Sequence, residues 1–341
     1  MTEAKAGGLK TSGANNNKQL DTPKNKKDNA AALKTFISHN GALIGLILLC
    51  IILAFCTPAF LTGANLLNVG IQAATTAILA FGETFVIIEA GIDLSVGAVA
   101  AFSSMLAAYT GANMGFPPAL TLIIGLLAGA AFGAISGMLN AWLRLPSFIA
   151  TLAMMSVARG LTLVISDGRP VSTSGAVNFF GSTIVGMPVP ILMMIIMGII
   201  ASLILNFTTT GRSMYAVGGN MEAARLSGIN VHKTQFMVFI LSGIFAAVAG
   251  LVIAGRLHSA QPQAADGYEM DAIAACVIGG ASLAGGKGKI SGTFIGAILL
   301  AVIRNGLNIL NVSSFWQQVV IGLVIAAAVS VDTLRRKEDV H

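Results

Sequence analysis

Read for apolar and polar positions, the chain is a series of long apolar runs separated by short polar gaps. It opens with 36 residues rich in Lys, Asn, Gly, Ser and Thr that have almost nothing to bury. A helix needs about 20 mostly apolar residues to cross a bilayer. Runs of that kind lie at about 41–60, 66–88, 94–112, 119–143, 148–166, 190–207, 234–256, 271–284, 291–310 and 315–333. The pattern predicts an all-α polytopic membrane protein with about ten transmembrane helices. The eighth segment, DAIAACVIGGASLA, is short and reads as a half-helix or re-entrant element.

Residues 1–36 read as a disordered cytoplasmic tail, 37–333 as the membrane domain, and 334–341 as a second cytoplasmic tail. The opening is too long, and GALIGLILLCIILAFCTPAF too poor in cleavage signals, for a secretory leader, so the first span is expected to be retained.

Composition agrees: 55% of the 341 residues are apolar and 10% charged, where a soluble domain has roughly a quarter charged. Cys50, Cys56 and Cys276 all fall in apolar stretches without metal or redox spacing, so they read as small core side chains and no metal site is expected. A net charge of +6 would suggest an anionic partner in a soluble protein. Here its position matters more, and the partner expected for it is membrane lipid rather than nucleic acid.

With the amino terminus inside, the cytoplasmic side collects seven tail lysines plus Arg144, Arg212, Arg225, Lys233, Lys287, Lys289, Arg335, Arg336 and Lys337. The external loops hold Arg169 and Arg256. Cytoplasmic loops carry an excess of Lys and Arg, so the asymmetry supports ten spans with both termini inside a bacterial inner membrane. Small residues crowd many spans, as in GLLAGAAFGAISGMLNA and ISGTFIGAILLA. In lipid they let helix backbones approach closely, which is how such helices associate.

One polar stretch, GGNMEAARLSGINVHK at 218–233, interrupts two apolar runs. Asn220 is a good N-cap, Glu222 sits in the first turn where the helix dipole favours an anion, and Gly228 fits a left-handed C-cap. Together they predict a two-turn helix over about 219–228. A helix so short is marginal in water, so its own membrane domain or a partner must hold it. The string Glu222-Ala223-Ala224, three residues, Gly228 resembles the cytoplasmic coupling motif of ATP-driven importer permeases. In that family the short helix lies in a groove of the ATP-binding subunit. The small alanines suit such a groove, and Arg225 suits an acidic rim. The isoleucine and leucine-proline that follow in the general motif are absent. The bland alternative is a capped loop helix with no partner.

GGASLAGGKGKISG at 279–292 invites comparison with a phosphate-binding loop, but Lys287 and Lys289 are followed by Gly and Ile, and the required upstream glycines are Ala281 and Leu283. No nucleotide site is legible, and the segment reads as a flexible cytoplasmic turn ending the eighth span. In GIDLSVGAVAAFSS, at 91–104, Asp93 reads as a cap for the third helix.

Five strings in order, GIDLSVG, FIATLAMM, GGNMEAARLSGINVHK, SAQPQAADGYEMDAIAACVIGGASLAGGKGKISGT and RNGLNILNVSS, make the chain resemble the permease of ribose-type ATP-binding-cassette importers over about 41–333. The long polar tail and Glu83 in the second span depart from that pattern. The resemblance implies a homodimer of this chain lining a path at the shared axis. It also implies an external sugar-binding protein and cytoplasmic ATPase subunits that carry the ATP and Mg, with no cofactor on this chain and no covalent catalysis by it. The expected cargo is D-ribose.

Glu83, Arg159 and Arg304 fall within spans, where a charge costs several kcal/mol unless paired or hydrated. Structural roles fit each: Glu83 paired or protonated, the arginines on carbonyls at helix breaks. A sugar path calls for amides, hydroxyls and aromatic rings, and Asn305 with Asn308, or Asn68 with Gln72, share helix faces that suit it. The external loop at 256–269 offers Arg256, Asp266 and Glu269 to a binding protein; an ordinary polar loop is the alternative. Two rival functions stay open. One is the same machine with another sugar, a polyol, a furanosyl signal or a branched-chain amino acid as cargo; the other is an ion-coupled secondary transporter using intramembrane charge pairs.

Overall fold

A computed structural model describes residues 41–338. The tail expected at 1–36, and the last residues of the one expected at 334–341, lie outside the described residues. The helices are α1 (Gly41–Cys56), α2 (Gly63–Ile88), α3 (Val96–Ala112), α4 (Pro118–Ala141), α5 (Ser147–Ser166), α6 (Val189–Phe207), α7 (Thr209–Gly219), α8 (Met221–Leu226), α9 (Val231–Leu257), α10 (Tyr268–Ile278), α11 (Ile290–Ile309) and α12 (Ser314–Glu338). Two short antiparallel pairs lie between them: β1 (Val171–Ser172) with β4 (Ser259–Ala260), and β2 (Thr183–Ile184) with β3 (Met187–Pro188).

Six of these helices, α2, α4, α5, α6, α9 and α11, are long and apolar enough to cross a membrane. Three shorter apolar helices, α1, α3 and the Ser314–Ser330 part of α12, accompany them. The remaining segment read as a span is α10, whose 11 residues reach about 16 Å at 1.5 Å per residue, half of a hydrocarbon core. It starts three residues before the expected segment and stops six short of its end. Gly279 follows, and Gly280, Gly285 and Gly286 take positive φ that the helix cannot continue through.

Helix α2 is the centre of the molecule. Every residue from Ala73 to Ile88 is buried, and α9, α11, α10 and α6 pack around it. The longest seam runs between α4 and α9. There Gly129 and Gly243 face each other so closely that a methyl group on either would overlap the other's carbonyl, the backbone approach that packing in lipid requires. Helices α4, α5 and α6 instead turn Leu127, Val164, Leu203 and similar side chains outward. That exposure fits a surface facing acyl chains rather than water.

Candidate functional site: the polar helix and the loops behind it

Helix α8 forms as its sequence requires. Asn220 takes an extended conformation and its side chain accepts from the Ala223 N–H at 2.9 Å, the N-cap bond. At the other end Gly228 has φ +83°, its N–H donates to the Arg225 carbonyl, and the Ile229 N–H donates to the Ala224 carbonyl, both at 3.0 Å. These are the two bonds of a Schellman cap. Ala224 is buried in a small apolar cluster with Val217 and Val231, against which Ile229 packs. The membrane domain itself therefore holds this short helix. Glu222 and Arg225 pair across one turn at 2.6 Å, both well exposed. The pairing raises the Arg225 pKa further. Met221, Ala223 and Leu226 also face outward, Leu226 being 79% exposed. An apolar patch flanked by charges on a rigid turn is a surface built for contact.

Behind α8, three backbone segments converge. Helix α7 ends at Gly218 and Gly219. A methyl group on Gly218 would overlap the Ile88 carbonyl at the end of α2. That same carbonyl accepts the Gly286 N–H at 2.8 Å. The Tyr215 hydroxyl on α7 donates to the Gly288 carbonyl at 2.7 Å. The glycine-rich stretch expected to be a flexible turn is thus bonded to α2 and α7. Beside this junction, Glu89 accepts from the Gln235 amide at 3.0 Å and, with Asn140, Ser147 and Met221, lines a cavity of about 320 Å³. Burial pushes the Glu89 carboxyl up to about 7, against the lowering effect of the Gln235 bond.

The α2–α3 connection is non-helical and reaches into the bundle. Its backbone is satisfied by α5: the Ile92 N–H donates to Ser147 Oγ and the Leu94 N–H to Thr151 Oγ1, each at 3.1 Å. Asp93 accepts from the Ser95 N–H at 2.9 Å and hydroxyl at 2.6 Å, and from the Ser242 hydroxyl on α9 at 2.9 Å. It closes the turn before α3 and ties that turn to α9 rather than capping the helix as expected: the N-cap is Ser95, which makes no side-chain cap bond. Glu83 Oε1 accepts the Asp93 N–H at 3.1 Å, while its other oxygen has no partner among the described residues.

The two intramembrane arginines are both committed. Arg159 donates to the carbonyls of Pro262 at 3.2 Å and Ala264 at 2.9 Å, with Asp266 3.7 Å away. Arg304 pairs with the buried Asp271 at 2.5 Å. The opposite charges of Asp271 and Arg304, in consecutive apolar segments, were a signal available in the sequence.

Of the residues read as path liners, Asn68 is exposed and Gln72 half-buried. Asn305 is 4% exposed and forms a reciprocal amide pair with Asn65 at 2.8 and 3.0 Å, and Asn308 accepts from Gln317 at 2.8 Å. Among the loop residues, Arg256 and Asp266 are exposed, whereas Glu269 is buried. Tyr215, Glu89, Gln235 and Asn65 had no distinguishing local pattern, because each acts through a partner far away in the chain.

An apolar helical bundle, with the Asp271–Arg304 ion pair inside it and one capped polar helix on its surface, fits a membrane transport component. The family model described as branched-chain amino acid transport system / permease component matches residues 65–329, and the chain belongs to that family. It is 47% identical over 296 residues to the ribose import permease protein RbsC of Bacillus subtilis (strain 168), covering 86% of this chain and 92% of the relative. It is 45% identical over 311 residues to RbsC of Escherichia coli (strain K12), covering 89% and 96%. It is also 45% identical over 285 residues to the D-allose transport system permease protein AlsC of the same strain, covering 82% and 86%. No solved structure gives a significant match.

Proposed function

We propose that this chain is the membrane permease subunit of an ATP-driven importer of D-ribose in a bacterial inner membrane. The observation that carries the reading is its 45–47% identity to ribose import permeases along nearly their whole length. Two copies line the path, and cytoplasmic ATPase subunits bind the ATP and Mg. An external binding protein delivers the sugar.

All ten apolar segments cross or enter the bilayer, α10 doing so as a half-helix, and both termini are cytoplasmic, as the distribution of Lys and Arg supports. Helix α8 is the coupling element. Asn220 and Gly228 cap it, Ala224 seats it, and Glu222, Ala223 and Arg225 face the ATPase. Arg256 and Asp266, with Glu269 beneath them, mark the face that receives the binding protein. Asn68 and Gln72 suit a path wall; Asn305 and Asn308 shape the same region through Asn65 and Gln317.

The test is uptake by vesicles carrying this chain with its ATPase and binding protein, offered labelled D-ribose, D-allose and D-xylose. ATP-dependent accumulation of D-ribose in preference to the others is the expected result. Preference for another sugar would change the cargo and keep the machine. Uptake that persists without ATP and collapses with an uncoupler would make it an ion-coupled carrier.

A further inference from the structure

The segment 258–267, between α9 and α10, is read above only as an external loop, yet much of it lies well inside the bundle. Arg159, which holds its carbonyls at 262 and 264, stands seven residues before the end of α5 at Ser166, about 10 Å down the helix axis at 1.5 Å per residue. From the other side, Gly97 at the start of α3 is so close that a methyl group there would overlap the Ala265 carbonyl and Glu269 Oε2. This descent explains why α10 needs only 11 residues: half of the crossing is made by irregular backbone.

Irregular backbone at membrane depth is tolerated where protein satisfies it or where it lines a water-filled cavity. Both conditions occur here. Arg159 satisfies two carbonyls, and above them lies a cavity of about 480 Å³. Its floor is the segment itself, with Gln261, Gln263 and Tyr268; Leu163 and Ile253 wall it and Pro170 lies at its rim. The volume is within the roughly 300–1,000 Å³ of small-molecule sites. Its chemistry is two amides and one phenol against aliphatic walls. None of the lining side chains is charged, and Arg159 faces Asp266 at 3.7 Å. Amides match hydroxyl groups, and an aromatic ring matches the C–H face of a pyranose or furanose.

We propose that this cavity is a cargo site for an uncharged monosaccharide, the first stop after delivery, with Arg159 as the positioning residue that holds its floor. The proposal rests on the permease reading. It puts the site against the same 256–269 loop that carries Arg256 and Asp266, the face proposed above to receive the binding protein.

The test uses the full chain in nanodiscs, with equilibrium binding of labelled D-ribose and D-allose and, in parallel, uptake by the assembled importer. Saturable binding is expected in the wild type. It should weaken at least tenfold in Tyr268→Leu and in the Gln261→Ala/Gln263→Ala double variant. Arg159→Met removes the one nitrogen that donates to both carbonyls and should weaken binding about as much, whereas Arg159→Lys, whose ammonium carries donors enough for both, should restore most of it. Wild-type binding that Tyr268→Leu and the amide double variant leave unchanged overturns the proposal. So does an absence of sugar binding while ATP-driven uptake proceeds, an outcome that leaves the permease reading standing. Loss of ATP-driven uptake for every sugar in the wild type would sink that reading instead.

Discussion

Gly218 lies against the carbonyl oxygen of Ile88 with no room for a side chain between them. The contact joins the helix that leads into α8 to the end of α2, which is buried throughout from Ala73 to Ile88. The same carbonyl also accepts the Gly286 N–H, so on the coupling role proposed for α8 a push there would reach α2 and the 279–288 stretch together. This is a rigid connection of backbone to backbone, and it would transmit small displacements that flexible side chains would absorb.

Gly218→Ala should therefore separate ATP hydrolysis from uptake. We expect at least a tenfold loss of sugar accumulation by a protein that still reaches the membrane. Gly219→Ala is the matched control, since nothing lies within 4 Å of the methyl group it adds. Equal uptake by the two variants would remove the junction from the coupling route.

At Gly228 the obstacle is conformational. The site is open, but φ is +83°, and a side chain in the left-handed region costs about 1–2 kcal/mol. Gly228→Asp should fray the end of α8 and release the Ile229 bond to Ala224. Uptake is expected to fall severalfold with normal insertion, and Glu222→Ala should reduce it through lost contact with the ATPase. Normal uptake by Gly228→Asp would refute docking through α8.

Arg304 and Asp271 should behave as a unit. Removing the arginine leaves a buried carboxylate without its cation, which costs about 3–5 kcal/mol. Arg304→Gln should therefore lower the unfolding temperature markedly. Asp271→Asn/Arg304→Gln, with no charge left to compensate, should recover most of the loss, and a thermal melt in detergent reads the difference.

Glu89 makes stability depend on pH. Its folded-state pKa of about 7 stands above the ordinary 4.5, so the folded protein prefers the protonated form. The stability this confers is complete below about pH 4.5 and is lost as pH rises to about 7. The shift corresponds to at most about 3 kcal/mol at 1.36 kcal/mol per unit. Between pH 5 and 8 the wild type should lose melting temperature relative to Glu89→Gln, which lacks this titration. Parallel curves for the two proteins would contradict the assignment.

Much of this architecture is legible in the sequence. Each of the ten apolar segments overlaps a helix, and six of those helices are long and apolar enough to cross a membrane, because a bilayer leaves the backbone of a lipid-exposed span no partner but itself. The caps of α8 were legible for a similar reason: Asn220 and Gly228 act on donors and acceptors within a few residues. Local chemistry writes itself in local sequence. Helix α7 escaped the reading, as did the bonded state of the 279–288 stretch, since glycines mark a turn without saying what the turn rests on.

Only tertiary structure decided which buried polar groups meet. Asn65 and Asn305 are 240 positions apart, and Arg159 reaches carbonyls more than a hundred residues away. Nothing in composition or periodicity encodes such pairings, because the energy that selects them exists only when the helices are packed. The depth of the 258–267 segment belongs to the same class. Its residues look like any external loop, and it is the guanidinium of Arg159 on a neighbouring helix that satisfies their carbonyls within the bundle.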